Sequence, residues 1–171
     1  MTRSWLTALS LAVALGACGD PVKDKAIESL GPEAPGVEPG PLHRPGQPCL
    51  YCHDGYGEGG IEFSVAGTVF AYAESPQPLA NALVHVIDSK GHRASAGTNC
   101  AGNFFFQRAD YDPTFPIWTT LQFGSELVEM STPIFRNGSC AQCHRNPLGP
   151  SNVGQVFFAP PGFPLQGGSC Q

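Results

Sequence analysis

The sequence contains few basic residues and no hydrophobic stretch long enough to cross a bilayer. Lysine occurs only at positions 23, 25 and 90, and the chain has 9 basic against 14 acidic residues. Because no basic patch is available to contact phosphates, nucleic acid is not expected as a partner. The apolar run at residues 6–15 is too short for a membrane-spanning helix.

Recognisable catalytic patterns are also lacking. No His-Glu-x-x-His metalloprotease motif occurs in the chain. No set of acidic and basic side chains suggests a catalytic acid–base constellation. We therefore do not expect the protein to be an enzyme.

One pattern of five residues occurs twice. The first motif is Cys49-Leu50-Tyr51-Cys52-His53, and the second motif is Cys140-Ala141-Gln142-Cys143-His144. Two thiols at this spacing can bond to the two vinyl groups of one porphyrin, and the adjacent histidine then lies beneath the iron as its proximal ligand. The repeat predicts two covalent c-type haems, anchored by the four motif cysteines and ligated by His53 and His144.

Two other interpretations of the same cysteines stay open. Each pair could form a small disulfide, or the four cysteines could together bind one zinc ion. Neither alternative requires a histidine directly after the second cysteine, and both motifs have one. The haem interpretation explains more of the pattern.

The first 17 residues have the features of a secretory signal. Arg3 precedes the apolar run, and Leu15-Gly16-Ala17-Cys18 follows it. This end resembles a bacterial lipobox, which implies that Cys18 is the lipidated first residue of the mature chain; an ordinary signal peptide cleaved nearby is the alternative. Gly19 in place of Asp implies, by the same resemblance, a lipoprotein of the outer membrane, attached to the membrane through its lipid only. Removal of residues 1–17 also removes Arg3 and leaves a net charge of −6.

The remaining cysteines are Cys100 and Cys170. An even pair in an oxidising compartment predicts a disulfide that ties the C-terminal tail to the domain. The sequence does not show whether the two residues come within bonding distance.

Residues 18–48 are predicted to form a disordered tether between the lipid and the domain. Residues 19–48 contain seven prolines and few large apolar side chains, which favours an extended and moderately stiff chain. At most one helical turn is expected, at residues 26–30. His43 in this segment is either a solvated linker residue or the sixth ligand of the first haem.

Residues 62–131 are predicted to form a β-sandwich, with haem-binding segments at 49–61 and 132–171. The segments are rich in β-branched and aromatic residues, are separated by turn residues, and show no helical periodicity. An all-β sandwich with loop-like haem-binding segments at both ends is therefore expected, rather than a compact helical cytochrome. The predicted strands are 63–72, 82–88, 93–98, 104–107, 116–123 and 126–130, with 153–159 as a further strand or an apolar cover for a porphyrin.

The sandwich segment resembles a known family, the carboxypeptidase regulatory-like or transthyretin-like module. The resemblance is carried by three stretches: Val65-x-Gly67-Thr68-Val69, then Leu79-Ala80-Asn81-Ala82-x-Val84-x-Val86-x-Asp88-x-x-Gly91, then Thr98-Asn99-x-x-Gly102-Asn103-Phe104. It implies a small Greek-key sandwich that is usually non-catalytic. Asn99 stands where the family often has Asp, and Cys100 is additional. The whole chain also resembles secreted bacterial proteins in which such a sandwich is bracketed by haem motifs and a Met stands about ten residues before the last one, as Met130 does here.

These observations predict an electron-transfer protein of the bacterial envelope, whose partners are other redox proteins. The expected sixth ligands are His43 for the first haem and Met130 for the second, because His85 and His92 have simpler explanations as strand and turn residues. Met/His ligation would raise the reduction potential. A non-redox binding or structural lipoprotein is the alternative, and a haem peroxidase would require one five-coordinate iron.

Overall fold

The computed structural model describes residues 20–33, 35–150, 152–159, 165 and 170. The predicted signal peptide and Cys18 lie outside the described residues. This part of the chain contains one α-helix and eight strands. They are α1 Pro21–Glu28, β1 Phe63–Tyr72, β2 Leu83–Asp88, β3 Arg93–Gly97, β4 Asn103–Gln107, β5 Ile117–Phe123, β6 Glu126–Glu129, β7 Gly138–Ser139 and β8 Val156–Ala159.

The chain divides into two units, Met1–Gly31 and Pro32–Gln171. In the first unit the described structure is α1, which starts where Asp20 caps it: the Asp20 Oδ1 accepts the backbone N–H groups of Val22 at 3.0 Å and Lys23 at 3.1 Å. Pro21 occupies the first helical position, where its missing N–H costs nothing. The expectation of a single turn was therefore wrong, because this N-terminal capping signal was overlooked. Among the described residues no helix is long and apolar enough to span a membrane.

The second unit is built from two sheets, which confirms the predicted all-β class. One sheet has the order β4-β1-β7 with β8 also paired to β1, and the other has the order β3-β2-β5-β6. The sheets share one apolar core, so their inner faces pack against each other. The best-buried residues come from both sheets: Val65, Val69, Phe104, Phe106, Val84, Val86, Ile117 and Leu121. Each side chain of this kind contributes about 1.5–3 kcal/mol when fully buried.

Strand β1 is buried on both faces from Phe63 to Val69. Residues 41–47 pack against it and its neighbour β4. The Gly46 N–H donates to the Thr68 hydroxyl at 2.7 Å, and the Asn103 amide donates to the carbonyls of Pro41 at 3.2 Å and His43 at 2.9 Å. The prediction of a disordered tether was wrong for these residues, because polar groups on the sheet provide their hydrogen-bond partners.

Strands β7 and β8 lie along the edge of β1 that β4 leaves open. Both run parallel to β1: β7 pairs with Val65 and Ala66, and β8 pairs further along, with Val69, Phe70 and Tyr72. The sequence predicted a strand that includes β8 but not β7, whose two residues are too few to show alternation. The segment between β7 and β8, which contains the second motif, therefore begins and ends beside β1.

Asp88 organises the turn between β2 and β3. Its buried carboxylate accepts the backbone N–H groups of Lys90 at 2.9 Å, His92 at 2.8 Å and Thr114 at 3.0 Å. Burial raises the pKa of Asp88, but these hydrogen bonds and the His92 ring lower it by more, to about 2. The carboxylate thus joins the hairpin to the segment that enters β5.

We expect Asp88→Asn to destabilise the domain at neutral pH. The substitution replaces one carboxylate oxygen with an NH2 group, which cannot accept hydrogen bonds from the backbone N–H groups. The pKa in the unfolded chain is about 4, above the folded value, so the charged group contributes stability above about pH 4 and loses it as the pH falls towards 2. The difference in urea midpoint between wild type and variant should therefore shrink at low pH. The exposed Asp110→Asn serves as control, and an unchanged difference at low pH would contradict the assignment.

Candidate functional site

The two motifs adopt the same local structure. Each starts with a 3₁₀ turn, Cys49–Tyr51 in the first and Cys140–Gln142 in the second. In each, the carbonyl of the first cysteine accepts the N–H of the second cysteine at 3.2 Å and that of the histidine at 3.0 Å (first motif) or 2.8 Å (second motif). The repeated sequence is thus a repeated structure that gathers two thiols and one imidazole.

Each motif histidine is oriented by a backbone carbonyl. The Nδ1 atom of His53 lies 2.8 Å from the Ile61 oxygen, and that of His144 lies 3.2 Å from the Gly154 oxygen. A carbonyl can only accept, so Nδ1 carries the proton and Nε2 has the free lone pair. Desolvation lowers the pKa of His144, which also favours the neutral ring. A carbonyl on one ring nitrogen is the usual support of a metal-binding histidine.

Aromatic rings surround the histidine of the first motif. His53 is buried, and its ring stacks on Phe63 at a centroid distance of 4.3 Å; Phe63 stacks in turn on Phe105 at 4.6 Å. The ring of His43 lies 5.8 Å from that of His53, with the two planes 13° apart. The structure therefore brings the predicted ligand His43 beside the first motif. The hydrogen bonds of Asn103 hold the loop that carries it.

Glycines provide room for both motifs. A Cβ atom at Gly59 would lie 2.5 Å from the Nδ1 atom of His53. A Cβ atom at Gly67 would lie 2.8 Å from the Cβ atom of Cys140. Real Cβ contacts are essentially never this close. Both motifs therefore require glycine, which has no Cβ atom, at these positions.

The second motif begins where β7 ends, and its following loop returns to β1. The Val153 N–H donates to the Cys143 carbonyl at 2.8 Å. The Gln155 amide donates to the carbonyls of Tyr72 at 2.8 Å and Ser75 at 2.6 Å. These bonds fasten the loop at the far end of β1.

The two motifs come together on β1. Both 3₁₀ turns pack against this strand. Burial raises the pKa of Cys49 to about 11. Burial, with smaller effects from Cys49 and Cys143, raises the pKa of Cys140 to about 12, so the thiols of Cys49 and Cys140 are close enough to interact.

Comparisons of the chain with protein-family models, with curated proteins and with solved structures find no match. Function is therefore inferred from the motif residues and from what surrounds them.

The cysteines fall into two groups in the structure. Cys100 and Cys170 form a disulfide, with their Cα atoms 5.5 Å apart. None of the four motif cysteines takes part in a disulfide. Within the described ranges, no three or more His, Cys, Asp or Glu side chains are grouped so as to hold a metal ion.

The other candidate ligands lie on the second sheet. Both ring nitrogens of His85 are hydrogen-bonded, to Ser95 at 2.6 Å and Gln122 at 2.8 Å. His92 binds Asp88 through Nδ1 at 3.1 Å. Met130 follows β6, where its N–H donates to Thr119 at 3.0 Å. In the part of the chain that the structure describes, no hydrogen bond or ring contact joins Met130 to the second motif.

Sequence reasoning missed the residues that support the motifs. The carbonyls of Ile61 and Gly154 could not be identified, because a backbone acceptor leaves no sequence signal. The glycines left a visible signal after the first motif, where Gly55, Gly57, Gly59 and Gly60 are clustered. Such clustering indicates a close approach of the backbone to another group.

The chemistry of these residues fits a haem at each motif. The thiols, the available imidazole nitrogens and the shared turn provide attachment and one axial ligand. Large apolar side chains near the motifs can pack on porphyrin faces. Those that are exposed are Tyr56, Ile61, Phe135, Leu148 and Val153.

Proposed function

We propose that the chain is an exported lipoprotein that carries two covalent c-type haems and transfers electrons in the bacterial envelope. The observation that supports this best is the pair of identical motif turns, each with a histidine held by a carbonyl through Nδ1. A disulfide or zinc site would not need this orientation of the histidine. Haem ligation through Nε2 does need it.

The chain's own residues divide the task between attachment and tuning. Cys49 and Cys52 anchor the first haem and Cys140 and Cys143 the second, while His53 and His144 are the proximal ligands. A bound haem c supplies a one-electron couple whose potential depends on ligand identity and burial. His53 is buried under aromatic rings, whereas His144 is only partly buried. The two sites are therefore expected to differ in potential.

His43 is the proposed sixth ligand of the first haem. Two imidazoles that bind one metal through nitrogens at about 2 Å have ring centres about 6 Å apart. The His43 and His53 ring centres are 5.8 Å apart in this structure and the two rings are stacked, so the His43 ring would have to turn its Nε2 atom towards the iron to ligate it. The Gly40 N–H donates to the His43 Nδ1 at 3.3 Å. Ligation through Nε2 would give up this long hydrogen bond, at a cost of about 1 kcal/mol.

The common strand supports electron exchange between the two haems. Both motif turns pack against β1, and the first also contacts β7, which leads into the second. Cys143 is exposed, so the second haem would be the one that redox partners reach. Transient contacts with other envelope redox proteins would follow from this exposure.

The two-sheet domain serves as the scaffold in this proposal. Its finer description, a Greek-key sandwich of the transthyretin-like type, remains part of the proposal and follows from the resemblance in residues 65–104. Lipidation at Cys18 and attachment to the outer membrane follow from the resemblance of residues 15–19 to a lipobox.

The haem content of the purified protein tests the proposal. The chain, expressed with its signal and with cytochrome maturation intact, should contain two haems by pyridine haemochrome absorbance and should stain for covalent haem on a denaturing gel. Replacing Cys49 and Cys52, or Cys140 and Cys143, with alanine should leave one haem. The pair Cys100→Ala and Cys170→Ala is the control and should keep two. A colourless wild-type protein would refute electron transfer by haem.

A further inference from the structure

We infer that the second haem has an open sixth position that binds small neutral diatomic ligands, such as carbon monoxide or nitric oxide, whereas His43 closes the first. This inference rests on the proposed function. It adds ligand binding at one site to electron transfer through the other. The histidines and methionine that could complete the coordination are His43, His85, His92 and Met130.

Few side chains in this chain can serve as a sixth ligand. The sequence has five histidines and two methionines, and one methionine, Met1, lies in the predicted signal peptide. His53 and His144 are the proximal ligands. The residues that remain are His43, His85, His92 and Met130, and imidazole and thioether are the usual protein ligands of a c-type haem.

Three of these four residues lie in or directly beside strands of the second sheet. His85 uses both ring nitrogens in hydrogen bonds across the sheet, to Ser95 and Gln122. His92 stands in the turn after β2 and is bonded to the buried Asp88. Met130 follows β6, which pairs with β5 at the edge of that sheet. The two motifs pack on β1, in the other sheet.

The fourth residue, His43, lies beside the first motif and is the proposed ligand of the first haem. Its ring lies 5.8 Å from that of His53, and its loop is fixed by hydrogen bonds from Asn99 at 2.6 Å and Asn103 at 2.9 Å. A fixed loop cannot swing this histidine to a second iron. The first site therefore has two imidazoles and the second has one.

The loop that follows the second motif carries two exposed apolar side chains. Leu148 and Val153 are 66% and 61% exposed. The loop is held in place by the Asn146 amide, which donates to Gln155 at 2.7 Å, and by the bonds of Gln155 to the end of β1. The Ser139 hydroxyl before the motif is buried and has no partner among the described residues. A neutral diatomic molecule is a suitable probe of an open position, because it loses little hydration when it binds.

Titration of the reduced protein with carbon monoxide, followed by absorbance, tests the inference. The haem count is measured first, so that a protein without haem counts against the proposed function and not against ligand binding. Wild type should bind one carbon monoxide per two haems. Without the second haem (Cys140→Ala with Cys143→Ala) the protein should bind none, and without the first (Cys49→Ala with Cys52→Ala) it should still bind one.

Two single substitutions in the intact protein complete the test. His43→Ala should raise the number of carbon monoxide molecules bound from one to two, because it opens the first site. Met130→Ala should leave that number at one. A wild-type protein with two haems that binds no carbon monoxide would overturn the inference, and would assign Met130 as ligand if Met130→Ala then bound one. Two molecules bound by wild type would show that His43 is not a ligand. If His43→Ala does not fold, the two single-haem variants decide.

Discussion

Substituting Gly138 with alanine is expected to remove haem from the second motif while the first keeps its own. A Cβ atom at this position would collide with the Ser64 carbonyl oxygen and would lie 2.8 Å from the Val65 Cα atom. These are backbone atoms of β1, so no side-chain rotation can relieve the contact. Because β7 leads directly into Cys140, its separation from β1 would displace the whole second motif. Overpacking of this kind typically costs about 1–3 kcal/mol.

The haem content of Gly138→Ala, measured by pyridine haemochrome absorbance, should fall from two haems to about one per chain. Gly97→Ala is the matched control, since Gly97 is also in a strand but its nearest neighbour would be the Ala82 oxygen at 3.9 Å. The control should keep two haems, with stability within about 0.5 kcal/mol of wild type. If Gly138→Ala also keeps two, the pairing of β7 with β1 does not position the second motif.

Gly59→Ala is expected to have the complementary effect on the first motif. The added Cβ would lie 2.5 Å from the His53 Nδ1 atom and 2.7 Å from the Cys52 oxygen. The imidazole must then leave the Ile61 carbonyl, which lies 2.8 Å from Nδ1. The lost hydrogen bond alone costs about 0.5–1.5 kcal/mol. A displaced proximal ring would also separate the imidazole from His43.

The variant should show loss or altered ligation of the first haem, visible as a weaker low-spin signal by electron paramagnetic resonance. The second haem should be unaffected. Gly149→Ala is the control, because its new Cβ would meet nothing closer than the Asn152 amide nitrogen at 3.6 Å. An unchanged low-spin signal in Gly59→Ala would argue against His53 as the proximal ligand.

The sequence predicted a structural element correctly where the residues that determine it are close together in the chain. Strands β1, β2 and β5 combine β-branched and aromatic residues with clear turn residues, and their predicted bounds agree with the structure to within one residue. The docking of residues 41–47 was not predictable, because it depends on Thr68 and Asn103, which are distant in sequence. Strand β7 was missed because two residues carry no periodicity.

The candidate site divides in the same way. Spacing within five residues identified the motif cysteines and histidines. In the structure each motif forms its own turn of the same kind, and both turns pack on the same strand. Spacing over ten residues suggested Met130 as the ligand of the second haem, and this stays a prediction. Met130 pairs with Thr119 in the second sheet before the chain crosses to β7. His43 was identified by its chemistry, and its contact with His53 depends on the unforeseen docking of its loop.

The parallel pairing of β7 with β1 has a consequence for the order of folding. The first motif is joined to β1 by a short-range bond, from the Phe63 N–H to the His53 carbonyl. The second motif reaches β1 only when residue 138 meets residue 65, and such long-range contacts form late because closing a large loop costs chain entropy. A chain that ends before β7 would still contain His43 and Phe63, whose rings lie beside His53, but it would lack the contact between the first motif and β7. Ordered structure around the second motif therefore marks a domain whose folding is complete.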